Sequence, residues 1–502
     1  MKLNFILSLC IFCLACSGAE KNVIFIITDD ESPTLGCYGD PVAKTPAIDE
    51  LAEDGALFLN AFATTASCSA SRSVVMSGLH NHANGQYGHQ HAFHKFASYF
   101  DVVGLSLPRA MARSGYRTAQ IGKFHVAPEE VFQFETYLKG KQRNAVHMAE
   151  QAREFITQKS EKPFFLYFAT SDPHRGGGSD LTSQLLLKPD LFGNKPNRQH
   201  HEGVKEVFYD PKEVPIPSFL SDTPETREEL CHYYQSVSRI DQGVGRLVKI
   251  LREAGLYDKT MIVFTSDHGM AFAGGKTTVY EGGLRVPFVV RNPYEKKRGV
   301  RLKGLISHID ITPSLLDFAG ALDSEKNRPK EWVEPDQFWK EKKYVAKENR
   351  GPTDQLSAYH GKSWISILGK PNAPHWSRIF ASHTFHEIQM YYPMRVVRDQ
   401  EYKLIWNIAH PLPYPFASDL WAASSFQAQF QKSLSAPYGN KTVGEYIQRP
   451  EFEFFRIDRD PNESTNLAEN PKHKKNLEKY KKILQEEQQK FHDPWVMKWN
   501  YE

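Results

Sequence analysis

Charged and imidazole side chains directly follow four apolar runs of this 502-residue sequence. They are Asp29 and Asp30 after NVIFIIT, Lys123 and His125 after YRTAQIG, His174 after FFLYFATS, and Asp267 and His268 after MIVFTS. Taken singly, each has an ordinary interpretation as a cap, a solvated charge or a core histidine. In open α/β sheets, however, ligands bind at the carboxyl ends of the strands, so four such coincidences favour one shared site.

Three of these side chains are carboxylates that would repel one another in one site. Asp29, Asp30 and Asp267 therefore require a cation nearby. Oxygen-rich ligation favours a hard ion, Ca²⁺ in the first place and Mg²⁺ in the second. His268 is a softer ligand, and it could bind either the metal or an oxygen of the substrate.

The segment Cys68-Ser69-Ala70-Ser71-Arg72 opens a predicted helix and carries a nucleophile candidate. A lone cysteine among small residues is usually a buried small hydrophobe. Outside the N-terminal segment, however, the chain has Cys37, Cys68 and Cys231, an odd number that marks one thiol as special. If that thiol is Cys68, only Cys37 and Cys231 remain to pair.

Short β-branched and aromatic runs alternate with amphipathic stretches, which predicts an α/β doubly wound domain with a mostly parallel sheet. The predicted strands are 22–28, 116–121, 163–169, 261–265 and 288–291, and the predicted helices are 47–55, 105–114, 144–158 and 227–254. The texture changes after Ile379, so we expect a main domain over 20–375 and a smaller α+β domain over 376–502. Residues 324–354 are charged and contain prolines, and they are predicted to be a surface excursion or linker.

Composition and the N-terminus bear on partners and location. A net charge of +3, with 40% hydrophobic and 24% charged residues, gives no reason to expect a nucleic-acid partner. Residues 1–19 have the pattern of a secretory signal peptide. We therefore expect export: to the lysosome in a eukaryote, or to the periplasm or the exterior in a bacterium, where Cys16 offers a weak lipid-anchor motif.

The chain resembles the sulfatases, most closely their N-sulfoglucosamine sulfohydrolase (sulfamidase) branch, over most of its length. The stretches that carry the resemblance are CSASRSVVMSGLHNHANGQYGHQHAFHKF, SGYRTAQIGKFHVAPE, PFFLYFATSDPHR, VFTSDHG, HEIQMYYPMR and RDPNESTNLAENP with HDPWV. The start of the first stretch is common to sulfatases, whereas its histidine-rich continuation and YPMR are specific to the sulfamidase branch. The resemblance implies an alkaline-phosphatase-like fold, with a mixed, mostly parallel sheet flanked by helices.

The resemblance also implies a role for each site residue. Cys68 would be oxidised by a maturation enzyme to formylglycine, an aldehyde whose hydrate attacks sulfur. The implied metal ligands are Asp29, Asp30, Asp267 and His268 together with the modified Cys68. The implied catalytic side chains are Arg72, which holds the hydrate, His125, which assists it, and Lys123, His174 and Lys276, which contact the sulfate. His174 is the expected general acid, because imidazole titrates near working pH.

The same resemblance implies hydrolysis of the N-sulfate of glucosamine in heparan-type saccharides. His386, Glu387 and Arg395 would bind the sugar, with interdomain packing as their ordinary alternative. Three departures from the branch suggest a divergent relative: Ala70 replaces the commoner proline, His268 replaces asparagine and Lys276 replaces arginine. Two other functions remain open: an O-sulfatase that acts on another polysaccharide, and a non-catalytic relative that binds sulfated glycans. A homodimer is a possible assembly.

Overall fold

The computed structural model describes residues 21–90, 96–176, 191–326, 359–374 and 376–500. The predicted signal peptide and all but the first three residues of the 324–354 excursion lie outside these ranges. No helix within the described ranges is long and apolar enough to cross a membrane.

The main sheet is mixed and mostly parallel around its centre. Its strands are β1 (Asn22–Thr28), β2 (Ala56–Phe62), β3 (Arg117–Gly122), β4 (Thr136–Leu138), β5 (Phe164–Ala169), β6 (Thr260–Ser266), β7 (Arg285–Val286), β8 (Phe288–Arg291) and β9 (Val300–Ser307). Along the sheet the order is β4-β3-β5-β1-β6-β8-β2-β7, and β9 pairs with β2. The central strands β3, β5, β1 and β6 run parallel to one another.

The predicted α/β architecture is confirmed. All five predicted strands are present, with ends that differ from the prediction by at most one residue. They were recognisable because both faces of a central parallel strand are buried; every residue of β1, β5 and β6, for example, is buried. Sequence analysis missed β2 and β9, whose partly exposed residues interrupt the apolar run.

Helices flank the sheet. In the main part they are α1 (Pro46–Glu53), α2 (Cys68–Ser77), α3 (Asn81–Asn84), α4 (Leu107–Arg113), α5 (Ala145–Thr157), α6 (Pro224–Glu253), α7 (Glu281–Leu284), α8 (Ile311–Phe318) and α9 (Leu322–Lys326). The long helix α6 begins three residues before its predicted start. The reason is local, because the Thr223 side chain accepts a hydrogen bond from Thr226 N and proline fills the first helical position.

The C-terminal part contains an antiparallel sheet. Its strands β10 (Arg378–His383), β11 (Met394–Asp399), β12 (Lys403–Asn407) and β15 (Phe452–Phe455) pair in that order, beside a short ribbon of β13 (Pro437–Tyr438) and β14 (Lys441–Thr442). Its helices are α10 (Ser418–Trp421), α11 (Ser424–Phe430), α12 (Val443–Ile447) and α13 (Lys474–Lys490). Ile379 and Val396 share one apolar core with Ile24 of the main sheet, so the two sheets are packed together. The boundary at residue 376 stays a prediction.

Candidate active site

The carboxyl ends of parallel strands deliver the predicted carboxylates to one edge of the main sheet. Asp29 and Asp30 follow β1, and Asp267 follows the neighbouring strand β6. The Asp267 N–H donates to the carbonyl of Thr28, and the Asp30 N–H donates to the Asp267 carboxylate at 3.0 Å. Asp30 has a left-handed backbone, with φ of 66°, which turns the chain sharply after the strand. The three aspartates are fully buried.

Cys68 is the first residue of the fully buried helix α2, and its side chain lies beside these carboxylates. Its Sγ is 3.3 Å from His268 Nε2 and 3.6 Å from Asp30 Oδ1. His268 Nε2 is in turn 3.2 Å from Asp30 Oδ1. The helix start therefore brings a nucleophile candidate into direct contact with two predicted metal ligands.

The donor atoms of this group fit a divalent cation. One ligand atom from each of Asp30, Cys68, Asp267 and His268 lies within 4.8 Å of the other three. This spacing suits ligands that surround a single ion at about 2.3–2.6 Å. Burial lowers the pKa of His268, but Asp267, Cys68 and Asp30 outweigh burial and raise it to about 10, which shows how strongly the surrounding charge favours a cation. Asp29 belongs to a second such group, with Asp30 and His174.

Arg72 links the strand ends from the next turn of α2. Its Nη2 donates to Asp29 Oδ1 at 3.1 Å, and its Nε donates to Asp267 Oδ2 at 3.0 Å. Lys123 Nζ contacts the other oxygen of Asp29 at 2.5 Å. Burial raises the pKa of Asp29, but the cations Lys123 and Arg72 outweigh burial and hold it well below its ordinary value. Asp29 is therefore a fixed anion that orients two cations.

Lys123 reaches the site because the chain turns directly after β3. Gly122 has φ of 92°, and a Cβ placed there would lie 1.9 Å from the carbonyl oxygen of Ala169. Only glycine permits this close approach, in which the Lys123 N–H donates to the same carbonyl at 2.8 Å.

Lys276 stands at the centre of a second set of contacts. Its Nζ donates to Asp30 Oδ2 at 3.0 Å and to Asp419 Oδ2 at 2.9 Å, and it lies 3.1 Å from His174 Nε2. Burial, and next Lys276, lower the pKa of His174 well below its ordinary value. The imidazole is therefore neutral in the substrate-free site. An anionic substrate would offset Lys276 and raise this pKa again.

Histidines line the approach to Cys68. His386 Nδ1 is 2.9 Å from the hydroxyl of Ser67, the residue before Cys68, and its ring packs at a tilt of 49° against His89 with 3.7 Å between centroids. His89 also contacts His125, whose Nε2 is 2.9 Å from the carbonyl oxygen of Gln90. The structure thus brings the predicted residues His125 and His386 together beside the nucleophile candidate.

The other two predicted sugar-binding residues occupy different surroundings. Glu387 accepts a 2.6 Å hydrogen bond from the Ser418 hydroxyl, next to Asp419. Arg395 makes a two-pronged ion pair with Asp493, at 2.5 and 2.9 Å, and stacks on Trp495. These contacts correspond to the packing alternative for Arg395. Glu387 instead binds Ser418, the residue before Asp419, and Asp419 accepts a hydrogen bond from Lys276.

Sequence reasoning missed Asp419 and His89 as members of the site. Asp419 follows no apolar strand and is 143 residues from Lys276 in sequence. His89 lies in the histidine-rich stretch that was noted above, but its spacing alone gave no signal that it faces Cys68. Cys37 and Cys231, the remaining candidates for a disulfide, are both free.

The sulfatase family model matches residues 21–321, which is more than half of the chain. Together with the strand-end carboxylates and the cysteine at the start of α2, this match defines the chain as a member of the sulfatase family. It is a hydrolase of the sulfatase class, with the mixed sheet and smaller antiparallel sheet described above.

Among its relatives, human N-sulphoglucosamine sulphohydrolase is 33% identical over 96% of this chain and 92% of its own length. N-acetylglucosamine-6-O-sulfatase of Bacteroides thetaiotaomicron is 24% identical over 63% of this chain and 75% of its own length. A protein solved in complex with its substrate D-glucosamine-2-N,6-O-disulfate superposes with a TM-score of 0.62 at 19% identity, covering 94% of this chain and 98% of that one. The last similarity establishes the fold alone.

Proposed function

We propose that this protein hydrolyses the N-sulfate of glucosamine in heparan-type saccharides. The observation that carries the proposal is the convergence of Cys68 with Asp30, Asp267 and His268 in one buried group of donor atoms. Its 33% identity to an N-sulphoglucosamine sulphohydrolase over nearly the whole chain supports the choice of the N-sulfate. The predicted O-sulfatase and non-catalytic alternatives become outcomes of the tests below.

The residues of the site have separable tasks in this proposal. Asp30, Asp267 and His268 would hold Ca²⁺ beside Cys68, with Asp29 at the edge of the same site. When bound, the ion would neutralise the carboxylates and make a coordinated hydroxyl more acidic. Formylglycine made from Cys68 would supply that hydroxyl as its hydrate. Arg72 fixes the carboxylates from behind, because its guanidinium donates to both Asp29 and Asp267.

Lys123 and Lys276 would bind the equatorial oxygens of the sulfuryl group. Preorganised cations at these positions stabilise the charge that develops during transfer, as they do in phosphoryl transfer. His174 would deliver a proton from Nε2 to the leaving nitrogen as the N–S bond breaks. This nitrogen needs the proton because an amide anion is a poor leaving group.

The proposal includes three expectations that concern the protein's surroundings. A formylglycine-generating enzyme must act on Cys68 before the protein is active. Export through residues 1–19 would give access both to that enzyme and to sulfated saccharides. The homodimer remains a proposal that measurement of the mass in solution would test.

The test is an activity screen with protein coexpressed with a maturation enzyme. We expect release of free amine and sulfate from N-sulfoglucosamine, with 6-O-sulfated glucosamine as the matched comparison. Cleavage of only the 6-O-sulfate would replace the proposal with the O-sulfatase. Mass analysis of the peptide that contains Cys68 completes the test, because an unmodified thiol in natively produced protein would leave only a sulfoglycan-binding role.

A further inference from the structure

An additional carboxylate enters the site from the C-terminal part. Asp419 lies in α10 and is buried, and its Oδ2 accepts a hydrogen bond from Lys276 Nζ at 2.9 Å. Lys276 is itself only 1% exposed. Neither the strand-end pattern nor the predicted metal-ligand set includes this aspartate.

The Asp419 carboxylate and the residue before it make further hydrogen bonds. Its second oxygen, Oδ1, accepts from the Leu420 N–H at 2.9 Å. The preceding residue, Ser418, is held by Glu387, which accepts from its hydroxyl at 2.6 Å. His386, next to Glu387, contacts Ser67 at the start of the nucleophile helix. The Asp419 carboxylate is therefore held by Lys276 and by the backbone of its own helix, whose first residue is bound by Glu387.

Asp419 and His174, the proposed proton donor to the leaving nitrogen, both contact the ammonium group of Lys276. His174, the proposed acid for the leaving nitrogen, is 3.1 Å from Lys276 Nζ, and Asp419 is 2.9 Å from the same atom. The third neighbour of Lys276, Asp30, belongs instead to the donor group around Cys68. The leaving nitrogen, if it meets His174, is thus one hydrogen-bonded group away from Asp419.

A carboxylate beside Lys276 is unfavourable in a site that binds only anionic groups. It repels the incoming sulfate and weakens the positive field of Lys276, and burial makes both effects larger than in water. The cost is offset if the carboxylate also recognises a cation. An accepting oxygen of a carboxylate has more than one lone pair, so Asp419 can hold Lys276 and a second donor together.

The two classes of sulfated sugar differ in this respect. When the N–S bond breaks, its electron pair goes to nitrogen, one proton from His174 gives the neutral amine, and a second proton from solvent gives an ammonium ion. When an O–S bond breaks, the same first proton gives an alcohol that remains neutral. Only the N-sulfated substrate yields a cationic product beside Asp419.

We propose that Asp419 is a specificity-determining residue whose carboxylate accepts hydrogen bonds from the leaving amine of glucosamine as this nitrogen gains its protons, and so favours cleavage at nitrogen over cleavage at oxygen. The inference rests on the proposed N-sulfate hydrolysis and identifies the side chain that reads the leaving group. Glu387 acts through Ser418 as a positioning residue for it.

The experiment measures binding by calorimetry, so it does not depend on turnover. Glucosamine and its neutral analogue N-acetylglucosamine are titrated into the full-length protein and into Asp419→Asn. We expect the unaltered protein to bind glucosamine at least about tenfold more tightly, the size of one charge-assisted hydrogen bond. Asp419→Asn should reduce this preference below about threefold. Asp222→Asn, which changes an exposed ion-paired aspartate, is the matched control and should keep the preference.

An absent preference in the unaltered protein, or an undiminished one in Asp419→Asn, overturns the inference. Ser418→Ala gives a second measurement, because it removes only the hydroxyl that Glu387 holds; an unchanged preference there also contradicts the proposal. Sulfate release from N-sulfoglucosamine is measured in parallel. Cleavage without an amine preference rejects this inference alone, whereas an amine preference without cleavage rejects the proposed hydrolysis and leaves amine recognition by Asp419 standing.

Discussion

Two buried groups of charges in this protein have opposite electrostatic characters. One is the proposed catalytic cluster around Asp30, Cys68 and His268. The other, the Glu281 network, joins the two sheets: Glu281 contacts Lys403 of β12 at 3.1 Å and Arg398 of β11 at 3.3 Å. Lys403 also contacts Glu463 at 2.7 Å. Every ion pair named in the network sets a carboxylate against a cation, whereas Asp30 also faces a thiol and other carboxylates.

The pKa values of the two acids show the difference. Burial raises the pKa of both. In the network, Arg398 and Lys403 outweigh burial and hold the pKa of Glu281 at about 2. In the catalytic cluster, Lys276 only partly offsets burial and Cys68 adds to it, so the pKa of Asp30 is well above its ordinary value. Buried charge alone therefore does not mark a site; what distinguishes Asp30 is that its raised pKa coincides with a converging group of possible metal ligands.

The largest expected effect is the loss of activity in Cys68→Ala, a change in the first group that should hardly affect stability. Cys68→Ala should lower turnover by at least about 10⁴-fold, because no other side chain can replace the nucleophile. Its free energy of unfolding should change by only about 1 kcal/mol, since a small buried atom is lost. Sulfate release and urea denaturation measure the two quantities. Cys231→Ala is the control with full turnover, and retained turnover in Cys68→Ala would show that the nucleophile is misassigned.

The strand-end residues could be predicted because parallel strands in the order β3, β5, β1 and β6 must end at one edge of the sheet. The prediction of a cation site rests on charge alone, since Asp29, Asp30 and Asp267 would repel one another without a cation. Asp419 could not be found in this way, because a long-range contact between a loop helix and Lys276 leaves no periodic signal. The Glu281 network was equally invisible, since it joins elements whose relative packing the sequence does not specify.

Glu281→Gln should lower stability but leave turnover nearly unchanged, the opposite of Cys68→Ala. Breaking this buried group leaves Arg398 without its counter-charge and Lys403 with Glu463 alone, and it should cost about 3–5 kcal/mol of stability. The kcat/KM, measured well below the unfolding temperature, should stay within about threefold, because the ion pairs of Glu281 within the described residues are with Arg398 and Lys403, which have no role in the proposed reaction. Glu202→Gln, which alters an exposed pair with Lys141, should cost less than about 1 kcal/mol. A turnover loss that equals that of Cys68→Ala would end the distinction between the two groups.

Ca²⁺ should stabilise only through the catalytic cluster. At a hundredfold excess over its Kd, a ligand that binds the folded state alone adds about 2.7 kcal/mol. We expect this gain, measured by thermal unfolding after chelation and re-addition, in the unaltered protein and equally in Glu281→Gln. Asp30→Asn should lose most of it. An undiminished gain in Asp30→Asn would place the ion elsewhere.

The contributions of Glu281 and Asp30 to the pH dependence of stability should have opposite signs. The folded-state pKa of Glu281 is depressed to about 2 from 4.5, so its contribution is complete above pH 4.5 and is lost as pH falls towards 2. The loss is on the order of 2–3 kcal/mol, and over this range the stability gap between the unaltered protein and Glu281→Gln should narrow by that amount. The folded-state pKa of Asp30 is raised, so folded protein keeps a proton that unfolded chain releases above pH 3.8, and stability falls as pH rises. In chelator, Asp30→Asn should remove that fall and leave the Glu281 effect intact. Urea denaturation between pH 3 and 6 distinguishes the slopes, and a common sign would mean that counter-charge does not separate a binding cluster from a structural one.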